Sequence, residues 1–330
     1  MKLIIQIPCF NEEDTLRETL DDLPKKIEGI DAIEYLVIND GSSDNTAKVA
    51  RDWGVNYIVN FTQNKGLAKG FMTGIDIALE NGADIIVNTD ADNQYCGKDI
   101  EKLVRPILEQ RADIVIGERP IDNTEDFTWL KKKLQRLGSW AVRQASHTDI
   151  PDAPSGFRAF SREAALRLNV VNDYTYTLET IVQAGREKIP IISVPIETNS
   201  ALRPSRLART MFGYVRTSML TILRAYLVYK PLKAFLFISI FPTIPAIVVW
   251  IRFLYFFVTA GGAGHIQSLI AACTLLIIGF VCIMIGILGD TICANRKILQ
   301  DVQYHARKQY YDGVRISEPH KREECRIYYR

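Results

Sequence analysis

Residues 84–95 read "DIIVNTDADNQY". The first half is an apolar run of strand length; the second carries two carboxylates, Asp90 and Asp92, one residue apart. A short run that is apolar on both faces is what a parallel strand needs when helices cover both sides of its sheet. In open sheets of that kind, ligands bind just beyond the carboxyl ends of the strands. The stretch therefore poses a choice between an acidic turn that closes a strand and a seat for a hard divalent cation.

The same pattern recurs on both sides of it. "KLIIQIP", "EYLVIN", "NYIVN" and "DIVIG" also read as strands, and Glu12–Asp22, Asp44–Trp53, Gly66–Glu80 and Lys98–Gln110 alternate with them as helices. Strand–helix alternation predicts a layered α/β domain. Four strand ends then carry polar chemistry. Asn11-Glu12-Glu13 follows the first, and Asp40-Gly-Ser42-Ser43-Asp44 the second. Asn64-Lys65-Gly66 with Lys69 follows the third, and Asp90–Gln94 the fourth. Any one of them is explained by helix capping or a turn. Together they line one rim with carboxylates, amides and backbone N–H groups.

Asp40 and Glu12 are suited to accept hydrogen bonds from a base or ribose. Lys65, Lys69 and the helix N-terminus at Gly66 suit an anion. Asp90 and Asp92 suit Mg²⁺ or Mn²⁺, which take oxygen ligands and leave room for phosphate and water. The sum is a nucleoside diphosphate with a metal. The chain has no Gly-x-x-x-x-Gly-Lys-Ser/Thr loop and no Gly-x-Gly-x-x-Gly after the first strand, so neither P-loop hydrolysis nor a dinucleotide cofactor is indicated. Its six cysteines form no Cys-x-x-Cys pair, which leaves no zinc or disulfide framework to read and fits a reducing compartment.

The later residues have a different character. The net charge of +2 divides into −9 over residues 1–200 and +11 over 201–330. The basic part is also the apolar part, so its anionic partner is read as a membrane surface, not nucleic acid. Ala234–Ile251 and Ile266–Gly289 carry no formal charge over 18 and 24 residues, and about 20 apolar residues span a bilayer core. The alternative is a buried hairpin in a soluble core. The loop 259–265 lacks Lys and Arg while both flanks are rich in them, which puts the flanks in the cytoplasm. The N-terminal "MKLIIQIPCFNEE" is not expected to act as a signal peptide, because its apolar stretch is too short. In "SRLARTMFGYVRTSMLTILRAYLVY", Arg206, Arg209, Arg216 and Arg224 fall within roughly 80° at 100° per residue, a basic amphipathic helix for the membrane surface. Arg252 lies inside the first apolar segment, and its role stays open.

"IPCFNEEDTL", "VINDGSSDNT", "NKGLAKGFMTGIDIA", "DADNQY" and "APSGFRAFSR" resemble, in order, the motif set of family 2 glycosyltransferases. The nearer likeness is to the dolichyl-phosphate mannose synthase-like branch, over roughly residues 3–210. The resemblance implies an α/β GT-A (Rossmann-like) catalytic domain over 1–203; the charge and apolar patterns add an amphipathic juxtamembrane region over 204–231, two transmembrane helices over 232–292 and a basic cytoplasmic tail over 293–330. It implies that Pro8, Asn11, Glu12, Asp40 and Asp44 line the nucleotide pocket, with Lys65, Gly66, Lys69 and Ala91 beside them. Asp90, Asp92 and Gln94 surround the metal and the diphosphate. Arg119, Arg203 and Arg206 meet the reacting phosphates, and Ser155 and Gly156 lie on the acceptor side. Two departures stand out. Tyr95-Cys96-Gly97 replaces the family's frequent His-Pro-Pro, and Lys132 or Lys133 in "WLKKKLQR" stands where relatives carry an acceptor-binding arginine, without arginine's bidentate geometry.

The expected activity is an inverting, membrane-bound transfer of a sugar from a UDP- or GDP-sugar to a polyprenyl phosphate. A phosphate monoester, with a second pKa of about 6, is already an anionic nucleophile near neutral pH, so it needs positioning more than a general base. Two other readings stay open: transfer to a hydroxyl acceptor, and an inactive membrane scaffold. The processive Gln-x-x-Arg-Trp motif is absent. Glu179 is either an acceptor-side carboxylate or a helix-surface residue, and a homo-oligomer is compatible with all of this.

Overall fold

The computed structural model describes residues 1–120, 143, 146, 148–170, 176–199, 231–260, 266–317 and 325–330. The chain divides into two compact units, Met1–Arg216 with Asp301–Arg330, and Thr217–Gln300.

The first unit is built on one sheet of eight strands: β1 (Lys2–Cys9), β2 (Ala32–Asn39), β3 (Tyr57–Asn60), β4 (Ile85–Asn88), β5 (Ile114–Glu118), β6 (Arg158–Ser161), β7 (Ile191–Pro195) and β8 (Arg326–Tyr329). The order across it is β7-β5-β6-β4-β1-β2-β3-β8. β6 runs antiparallel to β4 and β5, and the remaining neighbours are parallel. The five strands expected from the apolar runs all form. Leu3, Ile5, Ile7, Val37, Ile58, Val87 and Val115 pack into the core with Leu16, Leu20, Leu103 and Val104 from the covering helices. Those helices are α1 (Leu16–Asp22), α2 (Thr46–Trp53), α3 (Leu67–Glu80), α4 (Ile100–Leu108), α5 (Arg162–Arg167) and α6 (Thr177–Glu187).

The topology locates the site. From β1 the chain moves outward to β2 and β3, then returns to place β4 on the other side of β1. The loops leaving β1 and β4 therefore diverge, and a crevice opens between them at the carboxyl ends. Asn11 and Glu12 leave β1 there; Asp90 and Asp92 leave β4.

β8 is an addition that no apolar run announces. Arg326–Tyr329 pairs parallel to β3, in register from Tyr57↔Arg326 to Asn60↔Tyr329. It covers an edge that would otherwise present unpaired backbone groups.

The second unit holds α7 (Pro231–Ala260) and most of α8 (Ile266–Ser317). Both helices are long and apolar enough to cross a membrane. Most of their large apolar side chains face outward, among them Phe237, Phe241, Val258, Ile277 and Phe280. A buried core hairpin would enclose these residues, so the outward faces favour the membrane reading over the soluble one. α7 stays helical through Pro242 and Pro245. Gly289 of α8 sits where a Cβ would meet Pro231 Cβ at 2.7 Å, the small-residue approach typical of helices packed in lipid. Arg252 lies over the Phe256 ring at 5.8 Å.

Candidate active site

The loops after β1 and β2 are built against each other. Asn11 takes a left-handed φ of 56°, which Asn tolerates better than most residues. Its N–H donates to Ser42 Oγ at 3.0 Å, and its Oδ1 accepts from Ser43 N–H at 2.8 Å. Glu12 N–H donates to Thr46 Oγ1 at 2.9 Å, and Glu13 N–H to Asp44 Oδ2 at 3.1 Å. Burial pushes the Asp44 carboxyl up, but the Thr46 hydroxyl and the N–H groups of Thr46 and Glu13 hold it below its ordinary range overall. Pro8, Asn11, Glu12 and Asp44 thus come together on one wall, each only partly exposed.

Asp40 ties that wall to the loop after β3. Its Oδ1 accepts from Lys65 N–H at 2.7 Å and its Oδ2 from Gly66 N–H at 3.0 Å. The carboxylate thereby anchors the entry into α3. Gly41, at φ 68°, lies so close to the backbone of Gln63 and Asn64 that any Cβ would collide. The Lys65 and Lys69 side chains are exposed, with Lys65 Nζ 5.0 Å from the centre of the Phe61 ring.

Behind the acidic stretch lies a buried polar chain. Gln6 Nε2 donates to Asn88 Oδ1 at 2.9 Å, and Asn88 Nδ2 donates to Gly156 O and Tyr176 OH, each at 2.9 Å. Tyr176 stacks on Phe71 with 3.9 Å between ring centres. This chain fixes Gly156 against Asp90, where an added Cβ would lie 3.0 and 3.1 Å from the two carboxylate oxygens. Ala91 O accepts from the hydroxyls of Thr15 (2.8 Å) and Thr19 (3.0 Å), which anchors the residue between the two acids. Gln94 N–H donates to Asp92 Oδ1 at 3.3 Å. Tyr95-Cys96-Gly97 has its own supports: Gly156 N–H donates to Tyr95 OH at 3.1 Å, the Tyr95 ring stacks on Phe157, and Gly97 N–H donates to Asp22 Oδ2 at 2.6 Å.

The electrostatics single out Asp90. Burial, then the Asp92 carboxylate, push it up to about 7; Arg119 opposes this and Glu12 adds to it. An enclosed acid crowded by two others is a place where a divalent cation relieves repulsion. The donors are all hard oxygens, as Mg²⁺ and Mn²⁺ prefer. Among the described residues no group of three or more His, Cys, Asp or Glu forms a complete cage, so phosphate and water oxygens would supply the remaining ligands. The residues fit such an ion.

Across from the acids, Arg119 follows β5. Its Nε donates to Asp152 Oδ2 at 2.8 Å and its Nη2 to Asp152 Oδ1 at 2.9 Å, and Asp152 is fully buried. Arg158, also fully buried, donates to the carbonyls of Ala153, Ser155 and Thr177 and to Thr180 Oγ1, so it ties the 153–158 loop to α6. Ser155 is buried in that loop beside Gly156. Glu179 is buried on α6, not on a solvent face. Lys132, Lys133, Arg203 and Arg206, with the amphipathic segment 205–229, lie outside the described residues. Sequence reasoning passed over Asn88, Asp152 and Tyr176. For Asn88, a polar residue ending an otherwise apolar strand was the available signal; Asp152 and Tyr176 offered none.

The family model described as "Glycosyl transferase family 2" matches residues 4–168. The chain is 31% identical to a UDP-N-acetylglucosamine–dolichyl-phosphate N-acetylglucosaminyltransferase of Methanococcus voltae, over 58% of this chain and 83% of that one. It is 27% identical to an undecaprenyl-phosphate mannosyltransferase of Micrococcus luteus, over 59% and 83%. Its fold is similar to that of glucosyl-3-phosphoglycerate synthase from Mycobacterium tuberculosis, solved with Mn²⁺, UDP and glucosyl-3-phosphoglycerate. There the TM-score is 0.51 at 18% identity, covering 67% of this chain and 79% of that one.

Proposed function

Because the chain belongs to glycosyl transferase family 2 and is a glycosyltransferase, we propose that it moves a sugar from a UDP- or GDP-sugar to a polyprenyl phosphate, with inversion at the anomeric carbon. The observation that carries this reading is the crevice at the β1/β4 switch point, where Asp90 and Asp92 face the Arg119–Asp152 pair beside the Asp40-anchored loop. Acids for a metal, a guanidinium for phosphates, and the two-loop wall for a nucleoside meet in one place. Relatives whose names specify dolichyl or undecaprenyl phosphate support a lipid-phosphate acceptor.

Asp90 and Asp92, with Gln94 adjacent, would hold Mg²⁺ or Mn²⁺, which in this setting neutralises diphosphate charge. The chain's own residues do the rest. Asp44, Asn11 and Glu12 shape the nucleoside wall, Asp40 sets the N–H groups at the start of α3, and Arg119 attracts phosphate oxygens. A phosphate oxygen of the lipid attacks the anomeric carbon while the bond from that carbon to the donor diphosphate breaks. The nucleoside diphosphate departs with the bonding pair, and no proton need be removed from the nucleophile. Arg203 and Arg206, on the membrane-facing side of this reading, screen the acceptor's charge; Ser155, Gly156 and Lys132 or Lys133 flank the acceptor. The basic flanks support a catalytic unit on the cytoplasmic face.

The test uses membranes carrying the full chain, labelled UDP-glucose, UDP-N-acetylglucosamine or GDP-mannose, and either a polyprenyl phosphate or the unphosphorylated polyprenol. Label should enter an acid-labile lipid with the phosphate only, and Asp92→Asn should reduce this by at least about 100-fold. Transfer to the polyprenol alone sinks the acceptor assignment, and full activity in Asp92→Asn sinks the metal assignment.

A further inference from the structure

Arg119 is held with unusual completeness for a partly exposed arginine. Two nitrogens on one edge of its guanidinium, Nε and Nη2, engage both oxygens of Asp152, and its backbone N–H reaches Asp152 Oδ2 at 3.3 Å. Among the described residues, Nη1 donates to none. Asp152 is itself fixed: it is fully buried, and its carbonyl accepts from Ser155 N–H at 3.2 Å, which folds the 152–155 turn back on itself. At the next residue, Ala153 O accepts from Arg158 Nη2 at 2.7 Å. The turn is thus secured from both sides. A fork–fork pair of this kind fixes the plane of the guanidinium as well as its position.

We propose that Asp152 is a positioning residue for the transfer reaction: it fixes Arg119 through Nε and Nη2 and leaves the Nη1 end of the guanidinium aimed at a substrate phosphoryl oxygen. The proposal rests on the functional reading given above. Three features of the structure support it. The pair joins the loop after β5 to the turn before β6, so neither loop carries the arginine alone. The same turn carries Gly156 against the Asp90 carboxylate, 3.0–3.1 Å from where a Cβ would lie, which puts the Arg119–Asp152 pair at the same crevice. An arginine meant only to bind anions at a surface gains nothing from a buried carboxylate that offsets its charge; one that must be aimed gains its geometry. Fixing one donor before substrate arrives lowers the ordering cost at the moment of reaction.

The experiment is a double-mutant cycle on kcat/KM with the full chain in membranes, using Asp152→Asn, Arg119→Gln and both together. Acting through Arg119, Asp152→Asn should lower kcat/KM by about 100-fold, the cost of a misplacement near 1 Å. In the Arg119→Gln background it should have no further effect beyond about twofold. Separate titrations of donor and lipid phosphate then tell which phosphate Nη1 meets, by which KM rises. Losses that multiply, or an Asp152→Asn enzyme with unchanged kcat and both KM values unchanged, overturn the proposal. Should Asp152→Asn fail to fold, Asp152→Glu takes its place in the cycle: it keeps the buried charge but displaces the fork, and the same non-additivity is expected. Equilibrium binding of UDP or GDP to each variant is the fold control. A wild-type enzyme that binds nucleotide yet transfers to no lipid phosphate counts against the functional reading; a wild-type enzyme that transfers, with an additive cycle, counts against Asp152.

Discussion

At the scale of single residues, the crevice depends on atoms that are absent as much as on those present. Gly156 has no Cβ, and the Asp90 carboxylate and the Tyr176 hydroxyl occupy the space one would take, at 3.0 to 3.1 Å. Gly156→Ala should therefore push the acid out of place. A stability loss of about 1–3 kcal/mol is expected from overpacking, with a much larger loss of transfer, and thermal denaturation run beside the activity assay separates the two. Asn88→Ala makes the opposite test. It strips partners from Gln6 and Tyr176 in a buried setting, and about 1–3 kcal/mol is expected for each group left unsatisfied. A melting temperature unchanged in Asn88→Ala would show that the polar chain carries no stability. These residues also mark how far the sequence could be read. Asp90 and Asp92 follow an apolar run and are conspicuous. Asp152 is one acid in a loop, and its partner lies 33 residues earlier; no local pattern joins them.

At the scale of elements, the end of α8 docks on the catalytic unit by a polar face. Arg307 pairs with Asp76 at 2.6 Å, and its Nη1 donates to the carbonyls of Ala165, Leu166 and Leu168 at the end of α5. Tyr311 OH donates to Asp76 Oδ1 at 3.0 Å, and Tyr304 OH to Glu163 Oε1 at 2.7 Å. Arg307→Ala should cost about 2–3 kcal/mol, since hydrogen bonds to a charged group are among the stronger ones. For a unit of this size that is a fall of about 4–12 °C. Glu163 gives the same interface a pH signature. Burial pushes its carboxyl up, but the Tyr304 hydroxyl and Arg167 outweigh this and hold it below the ordinary 4.5. A carboxyl depressed on folding adds stability that is complete above about 4.5 and lost as pH falls through the lower folded value. Tyr304→Phe should thus melt earlier than wild type at pH 7, and the gap should narrow below about pH 4.5; a gap that stays constant to pH 3 contradicts it. The spacing of Tyr304, Arg307, Lys308 and Tyr311 is that of one helix face. The signal was in the sequence, but basic residues after an apolar segment also read as a membrane flank.

At the scale of the whole molecule, the parts that were legible are those whose partners are close in sequence or whose faces are all apolar. Strands β1 to β5 form where apolar runs predicted them, because a strand buried on both faces cannot be polar. β6 begins with the buried Arg158 and shows no such run; the pairing of β7 and β8 is decided by neighbours far along the chain. A chain ended after Gln300 would lack both the α8 face and β8. It should expose the outer edge of β3 and aggregate, and it should bind UDP or GDP more weakly, because Asn60 at the end of β3 leads into the loop that Asp40 holds. Light scattering and nucleotide titration of that truncated chain check both. The position of β8 also dictates an order of events during synthesis. Strand β3 is made long before its outer neighbour, and both apolar helices must leave the ribosome in between. Until Arg326–Tyr329 is translated the sheet stays open at that edge, so the eight-stranded sheet can be completed only after both apolar helices have been made. The enzyme is in this sense timed: its outermost described strand pairs only when two apolar helices are already made.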